Sequence, residues 1–105
     1  MSHEHHFSSW PFQDAINTAV FTTRQVLEGL CPILEVYHEH DGDWQFLCGT
    51  TQDEKDLKLV CLGCMAESDP ALVGLADLPR GWSAIRPATN VEWIREPYEK
   101  TEGDN

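Results

Sequence analysis

The sequence predicts a small α+β fold: an antiparallel or mixed β-sheet with a central hairpin and two short helices packed on it. Three observations lead there. Short apolar runs of extended character outnumber helical ones and follow one another along the chain. Asp41-Gly42 divides two such runs in the way a tight hairpin loop does. And 105 residues, 41 % of them hydrophobic, supply one modest core. Residues 10–98 are therefore assigned to a single domain, between a flexible N-terminus at 1–9 and a disordered C-terminal tail at 99–105.

The elements follow in chain order. Trp10-Pro11-Phe12 pins the N-terminal segment through two aromatic rings, with Pro11 suited to open a short helical turn. Ala19–Thr22 reads as a strand. Thr22–Gly29 reads as a short helix, with capping-box spacing between Thr22 and Gln25 and a terminating glycine. Pro32–His40 and Trp44–Cys48 are the hairpin arms. A two-residue Asp41-Gly42 loop sets Tyr37 opposite Phe46 and Val36 opposite Leu47; Gly42-Asp43 as the loop would shift that register. Leu57–Leu62 has the composition of an interior strand, with Lys58 its sole charge. A turn through Cys64–Ser68 then leads to a second helix capped by Asp69, opened by Pro70 and stopped by Pro79, with Leu72, Leu75 and Ala76 as its core stripe. Trp82–Arg86 is a further strand, and Asn90–Pro97 a last strand or turn. Trp44, Trp82 and Trp93 are expected in the core.

Charge excludes whole function classes. Eighteen acidic residues against seven basic ones give −11. No basic footprint is available to displace counterions from nucleic acid, and an anionic membrane surface would repel the chain. A basic protein partner would instead be attracted and steered. No apolar run reaches the roughly 20 residues of a membrane span. The first residues have no signal-peptide pattern, so a cytoplasmic location is expected, with Cys31, Cys48, Cys61 and Cys64 reduced.

The residues that could carry chemistry are few. Cys61-Leu-Gly-Cys64 could hold zinc, with Cys48 as a third ligand and His38 or His40 as a fourth, but a structural site usually shows a second short-spaced pair. The expected register also sends His38 and Cys48 to opposite faces of the hairpin. A thiol-redox role for the same pair would need a helix starting at the motif, whereas the helix is placed at Asp69. His3, His5 and His6 are read as terminal composition. His38, Glu39, His40, Asp41 and Asp43 form a dense polar hairpin tip, a candidate partner-binding surface. No phosphate-binding glycine loop, nucleophile elbow or framed carboxylate pair is present, so neither enzymatic activity nor a cofactor is expected.

Three elements carry a resemblance: Asp41-Gly-Asp-Trp-Gln-Phe-Leu-Cys-Gly49, the Asp69-Pro-Ala-Leu72 helix start, and Leu78-Pro-Arg-Gly-Trp82 followed by Ala84 and Arg86. From about Thr22 to Arg86 the chain is similar to the bacterial immunity protein 33-like family of polymorphic toxin systems, or to a sister group of it. The family order is Asp-Ser-Gly-Trp where this chain has Asp41-Gly42-Asp43-Trp44. The resemblance implies a non-enzymatic domain that binds a protein. A metal or thiol-redox module at Cys61 and Cys64, and an accessory subunit of a larger assembly, are the alternative readings.

Overall fold

A computed structural model describes residues 10–49 and 54–98. The assignments at 1–9 and 99–105, the three terminal histidines among them, lie outside the described residues. The chain runs β1 (Ala19–Thr23), α1 (Arg24–Leu27), β2 (Glu35–His38), β3 (Trp44–Leu47), a 3₁₀ turn (Glu54–Asp56), β4 (Leu57–Cys61), α2 (Leu62–Ser68), a 3₁₀ helix (Pro70–Leu75), β5 (Trp82–Ile85) and β6 (Ile94–Pro97). The strands form one mixed six-stranded sheet in the order β4-β1-β3-β2-β5-β6, with β1 and β3 parallel and the other neighbours antiparallel. The expected α+β class is the observed one.

The hairpin forms where expected, but with a different loop. Glu39 N–H donates to the Asp43 carbonyl at 2.7 Å and Gly42 N–H to the Glu39 carbonyl at 2.9 Å. His40, Asp41 and Gly42 thus make a three-residue loop, a turn closed by Gly42 at φ +100°. That is the bulged connection that places glycine third. The register becomes Val36 opposite Phe46, Tyr37 opposite Gln45 and His38 opposite Trp44. Even-numbered residues of both arms therefore share the core face, and His38 lies on the same face as Cys48, not on the opposite one. A one-residue slip is enough to reverse that assignment.

Other elements moved for local reasons. Thr23, not Thr22, caps α1, accepting from Val26 N–H at 3.3 Å. Thr22 is buried on the core face, where its hydroxyl must be satisfied, and it donates to the Phe46 carbonyl at 2.7 Å. No helical turn begins at Pro11; Trp10 and Phe12 do pin the segment, with Phe12 edge-on to Trp44 at 5.5 Å. β4 is an edge strand, with Leu57 and Leu59 exposed, and not an interior one.

The largest correction concerns 62–68, an α-helix where a turn was expected. Leu62, Met65 and Ala66 bury one stripe at helical spacing. Gly63 reads as a breaker in sequence, yet it is buried and its N–H donates to the Ile16 carbonyl. Asp69 and Pro70 do open a helical segment, but of 3₁₀ form, whose three residues per turn align Leu72 and Leu75 on the core, with Leu78 buried just beyond. α2 and this segment lie on one face of the sheet, against Val20, Val36, Trp44, Phe46 and Ala84. Each fully buried large apolar side chain contributes about 1.5–3 kcal/mol. Trp44 belongs to this core, while Trp82 and Trp93 pack against it half-buried.

Arg86 ties the far end together. Its side chain is 2 % exposed. Nε and Nη2 donate to the Ile33 carbonyl, Nη1 to the Thr89 carbonyl, and Nη2 also to Asp69 Oδ2 at 2.8 Å. The guanidinium stacks 4.1 Å from the Trp93 ring centroid. Asp69 Oδ1 accepts from Ala71 N–H, so one carboxylate both caps the 3₁₀ helix and pairs the buried cation.

Candidate functional site

With α2 and the 3₁₀ helix on one side of the sheet, and Val26 of α1 packed against the same core, the opposite face carries the side chains that alternate with those of the core. The strand registers draw two rows of side chains across it. One row is Leu59, Phe21, Gln45, Tyr37, Ser83 and Glu96; the second runs from Leu57 and Thr23 through Leu47, Glu35, Ile85 and Ile94, with Thr23 and Ser83 buried and the other central residues half-buried. Six strands about 4.8 Å apart make this face roughly 24 Å wide. Its β4 flank is apolar and open, with Leu59 63 % exposed, and its β6 flank sets Ile94, 58 % exposed, beside Glu96. Its centre holds Glu35, Tyr37 and Glu39, and neither row contains a lysine or arginine. Isolated exposed apolar residues are ordinary; apolar residues aligned over several strands mark an interaction surface.

The expected tip residues divide between this face and the core. His38 turns inward, its ring stacked on Trp44 at 3.9 Å, and Nδ1 lies 2.7 Å from the Leu78 carbonyl. A carbonyl only accepts, so Nδ1 carries the proton. Glu39 accepts from Gln45 Nε2. His40 packs edge-on to Tyr98, its Nε2 3.3 Å from the Tyr98 carbonyl. Asp41 and Asp43 are exposed, and Asp41 Oδ1 accepts from Asp43 N–H. Tyr98 also meets Tyr37 edge-on at 5.4 Å. Burial first, and then the neighbouring carboxylates, raise both phenols: Glu39 and Asp41 act on Tyr98, Glu35 and Glu39 on Tyr37. The tip is thus an acidic rim around a pair of tyrosines, continuous with the centre of the uncovered face.

The cysteines divide as well. Cys61 and Cys64 come together with Sγ atoms 2.7 Å apart. Cys48 does not join them. Its Sγ lies 3.8 Å from Thr23 Oγ1, whereas the antiparallel pairing of β4 sets Cys61 opposite Ala19, at the other end of β1. His38, although it shares a face with Cys48, sits opposite Trp44, four residues along β3 and roughly 13 Å away by strand rise. Among the described residues no group of three or more His, Cys, Asp or Glu side chains is placed to hold a metal ion.

A cleft of about 220 Å³ opens beside the tip, lined by Gln13, Asp14, His38, Trp44, Asp77 and Arg80 among others. Ligand pockets for drug-sized molecules run from about 300 to 1,000 Å³, so this one suits water or a single inserted side chain. The Trp44 indole N–H, buried with no partner among the described residues, belongs to a ring that lines it.

The chain matches no protein-family model, no curated protein and no solved structure. No helix among the described residues is long and apolar enough to cross a membrane. Sequence reasoning missed the uncovered face, although Val20-Phe21, Val36-Tyr37, Phe46-Leu47 and Ala84-Ile85 all put apolar or aromatic residues on both sides of a strand. That signal ordinarily means a sheet covered twice, and two short helices cannot cover two faces.

Proposed function

We propose that this chain is a non-enzymatic binding domain whose uncovered sheet face receives a basic protein partner. The observation that carries the reading is the pair of side-chain rows, with exposed Leu57, Leu59, Ile85 and Ile94 toward the flanks, carboxylates and a phenol at the centre, and no cation in either row. The complementary surface has lysine or arginine at its middle, where Glu35, Glu39, Asp41 and Asp43 would meet it, and apolar side chains to either side. A second copy of this chain fits poorly. Two such faces would bring carboxylates against carboxylates, on chains of −11 each. Edge-to-edge pairing is also disfavoured, by Lys58 on β4 and by Arg95, Glu96 and Pro97 on β6. The resemblance to immunity proteins supports the same reading, since a toxin would be a partner of this kind.

The test is a photo-crosslinking residue at Tyr37, compared with one at Glu67 on the helical side, in native-host extract at low salt. We expect the Tyr37 probe to label one basic protein that the Glu67 probe does not. Labelling should be abolished by Leu59→Asp with Ile94→Asp. With the purified pair, the on-rate should fall about tenfold or more between ~0.01 M and ~1 M salt. A partner that binds the doubly substituted chain equally well, or a chain whose solution mass is that of a dimer, overturns the proposal.

A further inference from the structure

We propose that Cys61 and Cys64 form a reversible dithiol–disulfide couple at the junction of β4 and α2, which exchanges with small-molecule disulfides such as oxidised glutathione. The two Sγ atoms stand 2.7 Å apart, so closing an S–S bond of about 2.05 Å asks for less than an ångström of movement. Both residues are half-exposed, so a disulfide reagent can reach them.

The local backbone gives the two sulfurs different roles. Cys61 is the N-cap of α2, in extended conformation at φ −84° and ψ 148°. Leu62 N–H donates to the Thr18 carbonyl and Gly63 N–H to the Ile16 carbonyl, each at 2.8 Å. The next amide in the turn, that of Cys64, donates to Cys61 Sγ at 3.1 Å. With an amide donor against Cys61 Sγ and the Cys64 thiol raised by burial, Cys61 is assigned as the attacking group. Burial, and then the adjacent Cys61 sulfur, push the Cys64 thiol up to about 11, so it remains protonated until the second step.

The chemistry balances as a two-electron exchange. Cys61 thiolate attacks one sulfur of the small disulfide, forming a mixed disulfide and releasing one thiolate. That thiolate, or water, takes the proton of Cys64. Cys64 sulfur then attacks Cys61 Sγ and displaces the second thiolate. Two protein thiols and one small disulfide become one protein disulfide and two small thiols.

The test uses the full reduced chain in glutathione buffers of increasing oxidised fraction, followed by alkylation and intact and peptide mass analysis. Two of the four cysteines should become protected from alkylation, mapped to a Cys61–Cys64 bridge, and recovered on adding a dithiol reductant. Cys64→Ser should halt at a glutathione adduct on Cys61, whereas Cys61→Ser should give no adduct at Cys64 over the same time. The wild-type map decides the matter even where a variant fails to fold. All four cysteines still alkylated under fully oxidised glutathione, or a bridge that involves Cys31 or Cys48, would overturn the proposal.

Discussion

Truncating Arg86 is the sharpest test of how the fold is held, because the guanidinium joins the end of the β2–β5 pairing to Asp69, Thr89 and Trp93, which lie outside it. Arg86→Ala removes both donors to the Ile33 carbonyl, the donor to the Thr89 carbonyl, the pairing with Asp69 and the stack on Trp93. An acceptor left buried and unpaired costs about 1–3 kcal/mol. The stacked cation contributes about 1 kcal/mol. Asp69 is 25 % exposed, so water takes over part of its charge and that pairing is counted at about 1 kcal/mol. The sum is about 3–5 kcal/mol, the range found when one partner of a buried pair is removed. A domain of this size has roughly 5–15 kcal/mol in all.

Urea unfolding followed by tryptophan fluorescence should therefore show a much lower midpoint with an unchanged slope, and a Tm lower by at least ~12 °C. Arg86→Lys keeps the charge but not the fork that reaches three acceptors, so it should lose about half as much. A loss below about 1 kcal/mol for Arg86→Ala would refute the reasoning, since it would mean that the Ile33 carbonyl and Asp69 find other partners without cost.

Two further outcomes follow from the region around the tip. The chain has two tyrosines, and burial beside carboxylates raises the pKa of each above its ordinary value of 10.0. A raised folded-state pKa means stability that is full below the unfolded value and lost as pH climbs through the folded one. Phenolate absorbance should accordingly appear at higher pH in native protein than in guanidinium, where it appears near 10; a native midpoint at or below 10 would contradict the packing. Gly81 sits at φ +82°, where an added Cβ would fall 2.7 Å from the His40 ring. Gly81→Ala should cost about 2–3 kcal/mol, from backbone strain and a displaced His40, and a thermal shift within a degree of wild type would refute that.

Much of this fold could be read from the chain, and the failures share a cause. The hairpin, the strands at Ala19, Leu57 and Trp82, and the Asp69-Pro70 start depend on local chemistry that sequence carries directly. Loop length did not, because Asp41-Gly42 serves a two-residue loop and the end of a three-residue one equally well; the register follows only from which residues the core accepts. The helix at 62–68 was hidden by Gly63, whose tertiary partner, the Ile16 carbonyl, lies more than forty positions upstream. Arg86 was visible as a motif residue but not as a buried one, since nothing nearby in sequence announces Ile33, Asp69 and Trp93 around it.

Those same differences had concealed the two features that carry the proposals. With the helix placed at Asp69, Cys61 and Cys64 lay in a strand and a turn, and a redox pair had no structural basis. With α2 beginning at Leu62, Cys61 becomes its cap and the sulfurs meet. The edge position of β4 matters in the same way, because Cys61 shares the alternation of Leu57 and Leu59 and so sits at a corner of the uncovered face. The dithiol and the proposed partner surface are therefore neighbours, yet they stand on separate physics. Leu59→Asp with Ile94→Asp changes the chemistry of the face without touching a thiol, and Cys64→Ser removes the couple without altering either row. If partner capture fails while the bridge forms, the face has been misread and the couple stands; if the bridge fails while capture succeeds, the converse holds.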